Sequence, residues 1–273
     1  MLRQFATAAL GLSASAILAQ SPASPPTPRP KFDAFEVATI KPVENDAKSG
    51  RYLIMQGTNR FIGKNYTVKL LIAAAYNLSP KTISGGPAWI ESDHYDIVAV
   101  TPGDVRPNHD EQMSMLRALL ADRFKLAFHR EQKDFSIYEL QLAKGGPKLK
   151  PTTAAPTVLS TTAQPQLITT VYPQRIVLPA RNVSMTDLAI LMQRAMLDRP
   201  VVDKTNLTGR FDFDLEWAPD ETQFGGEVPV APADAPIAPL FTALQQQLGL
   251  KLEATRGPVE ALVVDTVERP SAN

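Results

Sequence analysis

At 273 residues the chain can fold as one large domain or two small ones. Its 44% hydrophobic and 21% charged content is that of a globular protein, and 28 Lys plus Arg balance 28 Asp plus Glu, leaving no basic field for nucleic acid or an anionic membrane. With no cysteine, disulfides, thiolate metal sites, a cysteine nucleophile and lipid attachment through an N-terminal cysteine are all excluded.

Residues 1–19 are expected to be a signal peptide. Arg3 supplies the positive region, residues 5–18 are apolar and small, and Ala14-Ser15-Ala16 or the bond after Ala19 offers a cleavage site. The apolar run is shorter than the ~20 residues of a membrane helix, which favours cleaved export over a retained anchor. Residues 20–31 form a Pro-rich tether, because proline lacks the amide donor and fixes φ.

A first α+β unit is expected over 32–149. It opens with a strand at 35–40, stopped by Pro42, and a short strand near 51–55. A strand at Phe61-Ile62, an Asn65-Tyr66-Thr67 turn and a helix over 68–76 with Thr67 as N-cap follow. Trp89-Ile90 and a strand over 94–100 come next, then a loop over 101–111 and a helix over 113–122. Two strands, 125–128 and 136–142, read as a closing hairpin. Residues 150–173 form a Thr/Ala/Pro-rich linker with a short strand around 167–171.

A second unit, 174–273, repeats that order. It has a strand at 175–178, an Asn182-Val183-Ser184 turn, and a helix over 185–196 with Ser184 capping and Asp187 set for a capping box. The stretch Phe211-Asp212-Phe213-Asp214-Leu215-Glu216-Trp217 is the clearest strand, with four apolar side chains on one face and three carboxylates on the other. After a Pro-rich insertion (219–239), a helix from Leu240, a strand at 250–252 and a closing strand at 261–265 complete the unit. The fold class is therefore α+β: two repeated strand-helix-strand-helix-strand-strand units with mainly antiparallel sheet covered by helices on one face.

Five motifs in order resemble a known family: Phe35-Glu36-Val37-Ala38-Thr39-Ile40-Lys41-Pro42, Gly85-Gly86-Pro87-Ala88-Trp89-Ile90, Leu119-Leu120-Ala121-Asp122-Arg123-Phe124-Lys125-Leu126, Arg199-Pro200-Val201-Val202-Asp203-Lys204-Thr205 running into Gly209-Arg210-Phe211-Asp212, and Gln247-Leu248-Gly249-Leu250-Lys251-Leu252. Over 32–273 the chain is similar to the uncharacterised soil-associated protein family of soil bacteria, a domain of unknown function. The resemblance implies an exported bacterial protein and brings no site residues. Members joined to membrane sensor-proteases imply a sensory role. The second unit also resembles the short N-terminal domain of secretins and TonB-dependent receptors, implying a periplasmic interaction module.

Candidate chemistry is sparse. Asp212, Asp214 and Glu216 could gather a hard cation, though no Gly-containing calcium loop accompanies them and a solvated strand face explains them. His94 and Asp96 point the same way from one strand, and His129 could join them in a metal or hydrolytic site, but no His-x-x-x-His or Gly-x-Ser-x-Gly motif supports it. His109-Asp110-Glu111 shows no metal spacing either. No catalytic residue, cofactor or metal is assigned. The leading expectation is an exported envelope (periplasmic or secreted) binding or sensing module without catalytic activity, engaging an envelope or membrane protein, not nucleic acid, with no integral membrane segment after cleavage. The rivals are an exported hydrolase or metal-dependent enzyme and a structural envelope protein.

Overall fold

The computed structural model describes residues 29–45, 50–153, 165–226, 228–232, 234 and 236–270. The expected signal peptide and most of the tether lie outside the described residues. The protein is α+β, built from three sheets and short helices.

The first sheet has the order β1 (Val37–Val43), β5 (His94–Val100), β3 (Arg60–Thr67), β2 (Tyr52–Gln56), every pairing antiparallel. Strand β5 alternates: Tyr95, Ile97 and Ala99 are buried, and the residues between them are only partly covered. The buried face packs under α1 (Val68–Tyr76) and α3 (His109–Arg123). Pro42 does not stop β1, which runs on through it opposite Tyr95. An edge strand has one side without a ladder, so the absent donor can be placed there.

The second sheet has the order β7 (Lys150–Pro151), β12 (Phe211–Trp217), β10 (Arg175–Val183), β8 (Gln166–Leu167), with β9 (Thr170–Tyr172) also on β10. Its buried face carries Phe213, Leu215 and Trp217 of β12, packed with α4 (Met185–Leu191) and α5 (Leu240–Ala243) in a second core. The indole Nε1 of Trp217 donates to Gln223 Oε1 at 2.7 Å, which satisfies both buried groups. Of residues 150–173, Lys150-Pro151 joins this sheet as β7, and the strand expected near 167–171 is the pair β8 and β9. Residues 154–164 lie outside the described residues.

The two central strand pairs share a detail. Asn65 (φ 56°) and Asn182 (φ 57°) sit where the β3/β5 and β10/β12 registers slip. Each donates its backbone N–H to a carboxylate of the neighbouring strand, Asp96 Oδ1 at 3.0 Å and Asp212 Oδ1 at 2.8 Å. Asparagine tolerates the left-handed conformation that such a bulge needs. The expected turns are thus bulged strand ends, and each leads straight into a cap. Thr67 Oγ1 accepts from Leu70 N at 3.3 Å, while Ser184 and Asp187 form a full capping box.

The third sheet joins the halves, in the order β11 (Val201–Asp203), β6 (Ala127–Leu142), β13 (Leu250–Thr266), β4 (Ile83–Gly85). The two strands expected at 125–128 and 136–142 are one continuous strand that begins at Ala127, and those at 250–252 and 261–265 are likewise one. The two long strands pair antiparallel from Leu142↔Leu250 to Ala127↔Thr266. Pro258 is accommodated in β13 because β4 pairs only at residues 262–264, leaving that flank open. Strand β4 runs parallel to β13, and β11 parallel to β6. Consequently Leu262 and Val264 of β13 complete the first core, while Leu140 of β6 lies in the second.

Helix α3 begins four residues earlier than the apolar pattern suggests. Asn108 and Glu111 form a capping box there, with Glu111 N donating to Asn108 Oδ1 at 2.9 Å and Asn108 N to Glu111 Oε2 at 2.6 Å. Trp89-Ile90 open a short helix, α2 (Trp89–Ser92). No helix among the described residues is long and apolar enough to cross a membrane.

Candidate binding groove between the two halves

The carboxylates of β12 are absorbed into the sheet. Asp212 accepts the bulge amide of Asn182, Asp214 pairs with Arg181 at 2.8 Å, and Glu216 pairs with Arg175 at 2.9 Å. Both arginines belong to β10, so the face is a cross-strand ion-pair ladder at the surface, and such pairs contribute little each.

The histidines are held apart. His94 Nδ1 lies 3.2 Å from the carbonyl of Asn65, next to the bulge, and Asp96 is engaged by Lys64 and by the Asn65 amide. His129 stands on an exposed stretch of β6 with its Nδ1 2.8 Å from Asp265. Among the described residues no group of three or more His, Asp and Glu side chains is placed to hold a metal ion.

The feature that motif reading missed is a groove of about 560 Å³ where the halves meet. From the first half, Leu70 and Ala74 of α1, His109, Gln112 and Met113 of α3, and Arg51, Leu53 and Tyr66 line it. From the second half come Thr169, Val171, Arg194, Ala195, Phe224, Val228 and Pro229.

Arg194 is the notable group in it. It lies on residues 192–196, where α4 continues as a π turn closed by Leu197 N donating to Met192 O at 2.7 Å. Such turns recur at functional sites because they reposition the side chains on them. Met192 and Met196 are fully buried in the second core and fix the turn from inside. Gln193 fixes it from the other side: its Nε2 donates to Asn77 O of the first half at 2.7 Å, and its Oε1 accepts from Val201 N at 3.2 Å. The residue between these anchors, Arg194, makes no hydrogen bond or ion pair with any described residue. Its guanidinium is largely surrounded by protein, and burial lowers its pKa from the ordinary arginine value, with Tyr66 opposing.

His109, the first residue of α3, shares this setting. Its side chain is exposed to solvent, with protein packed against one side of the ring. Burial, then the charges of Arg194 and Arg117, lower its pKa, while Asp110 and Asp187 pull the other way. Arg51 stacks over Tyr66 at 5.7 Å from the ring centre. The described lining contains cationic, aromatic and aliphatic side chains and no carboxylate. Such a surface can receive a negative group and shelter an apolar one.

A sequence signal for Arg194 exists only in hindsight. It is a lone cation amid Leu191, Met192, Ala195 and Met196, on a helix otherwise committed to a core.

No curated protein and no solved structure matches the chain. One family profile does, described as a protein of unknown function (DUF3738), over residues 69–267, from the second residue of α1 to just past the end of β13. With well over half of its length so matched, the chain belongs to the DUF3738 family of proteins of unknown function.

Proposed function

We propose that the protein is an exported bacterial envelope module that binds and senses and does not catalyse, with the groove between its halves as the binding site. The observation that carries this reading is the groove itself, which neither half lines alone. Concave sites at the junction of two structural units are where ligands are most often held. The two halves read as copies of one unit. The matching sheet orders, the paired asparagine bulges and the capped helices after them support a duplication. A duplicated pair creates a junction that a single copy lacks. The export signal read at 1–19 and the resemblance of the second half to secretin and TonB-receptor domains support an envelope setting. The open edges β1 and β2 offer a further route for a partner strand. A hydrolase built on His94, Asp96 and His129 has less support, because each of those side chains is engaged in its own local contacts.

The test is a photo-crosslinking residue at Val171, which is 46% exposed and lines the groove. Expressed in the native host, it should capture one discrete envelope component, and the same probe at Val230, outside the lining, should not. Equal capture from both positions, or from neither, would reject the groove as the docking site of an envelope component.

A further inference from the structure

We propose that the groove binds an amphipathic organic acid, with its carboxylate on Arg194 and its apolar body against Leu70, Met113, Val171 and Phe224. This rests on the reading of the groove as the binding site and names the chemistry of its ligand. Arg194 is half-buried at the groove wall, and a guanidinium so covered is ordinarily paired, since an uncompensated charge weakens the fold around it. Arg194 is unpaired among the described residues and is nevertheless held firmly, through Gln193 on one side and the buried Met192 and Met196 on the other. A cation kept in place without an internal partner is preorganised for an external one. The planar fork of arginine fits a carboxylate through two parallel hydrogen bonds.

The surroundings narrow the class further. No described carboxylate lines the groove to compete for Arg194, and His109 lies close enough to it for their charges to interact. The remaining wall is largely hydrocarbon and aromatic, which favours a ligand with an apolar body over a bare anion. The volume of about 560 Å³ lies in the range of small-molecule sites. A bare multiply charged phosphate would leave the apolar wall uncovered, and the surroundings of His109 disfavour the extra positive charge it would call for.

The purified protein would be titrated with sodium octanoate, octan-1-ol and inorganic phosphate, following the thermal midpoint and the heat of binding. Octanoate should raise the midpoint saturably, and the alcohol and phosphate should not. In Arg194→Gln octanoate should bind at least tenfold more weakly, while the free variant melts at the same temperature as wild type or higher, because an unpaired charge has been removed. A structural role for Arg194 would instead lower the free midpoint. A second reading needs no variant. In NMR titrations of wild type, octanoate should move the His109 midpoint upward, since a nearby carboxylate favours the imidazolium over the opposition of Arg194 and Arg117, adding to Asp110 and Asp187. Equal binding of octanoate and octanol, undiminished octanoate binding to Arg194→Gln, or an unmoved His109 would each overturn the assignment. A groove crosslink at Val171 with no octanoate effect also overturns it, while leaving the binding-module reading intact. Arg194-dependent octanoate binding without a crosslink supports it and makes the protein a small-molecule receptor.

Discussion

Leu116 of α3 is fully enclosed in the first core, and Trp217 is fully enclosed in the second. The cores are joined through β6 and β13, each of which supplies side chains to both. Truncating Leu116 to alanine removes buried carbons at a site with no solvent access, where such losses run 2–5 kcal/mol, so about 3 kcal/mol is expected. Phe in place of Trp89 leaves Trp217 as the only indole, since the chain has two tryptophans. Trp89 is only partly buried, with Arg269 stacked on its ring, so that background change is mild. In urea, with a slope of about 3 kcal/mol/M at the upper end of the usual range, Leu116→Ala should lower the midpoint by about 1 M. The decisive point is where the shift is read. If the long strands couple the cores into one cooperative unit, the fluorescence of Trp217 should report the full shift although it touches nothing near Leu116. A Trp217 transition unmoved by Leu116→Ala, with circular dichroism splitting into two steps, would refute the coupling.

Three further outcomes are expected. Gly249 has φ +66° and a Cβ there would fall far inside contact distance of the Gly146 carbonyl, so Gly249→Ala should cost about 2–4 kcal/mol in chemical denaturation; a near-neutral result would disprove the close approach. Ser184→Ala should cost about 1 kcal/mol through loss of the capping box, and Ser184→Asn should restore most of it. The folded protein disfavours protonated His109, so its pKa lies below the unfolded value of about 6.5. The unfolded chain then binds the extra proton, and stability should fall as pH drops through about 6.5, levelling off once the folded form is protonated too. Subtracting the pH profile of His109→Gln from that of wild type should isolate that loss, and identical profiles would refute it.

Local pattern made much of the fold legible. The alternation in residues 211–217 and the caps at Thr67 and Ser184 depend on neighbours a few residues away, and a sequence displays such neighbours directly. The long strands were not legible because their continuity is a tertiary property. The stretch His129-Arg130-Glu131-Gln132-Lys133-Asp134 looks like a polar break, yet it is strand because the whole run pairs with β13, with Arg130 reaching diagonally to an ion pair with Glu260. The start of α3 was hidden for another reason: its first turn is polar, and only the cap marks it. The groove was illegible altogether, since Arg194, His109 and Val171 meet only when the halves are assembled. The carboxylates of β12 show the converse: their regular spacing drew attention to what is a surface ladder.

The exchange of strands between halves also sets a schedule. Leu262 and Val264 complete the core of the first half, but the whole second half of the sequence separates them from the rest of that core. Strand β6, made midway, waits for β13 more than a hundred positions later. Neither core is complete until β13 has joined it. Pairing at such separation is slow to form, because loop closure precedes any gain from contact. The sheet that holds the two halves together is thus the pairing expected to form most slowly.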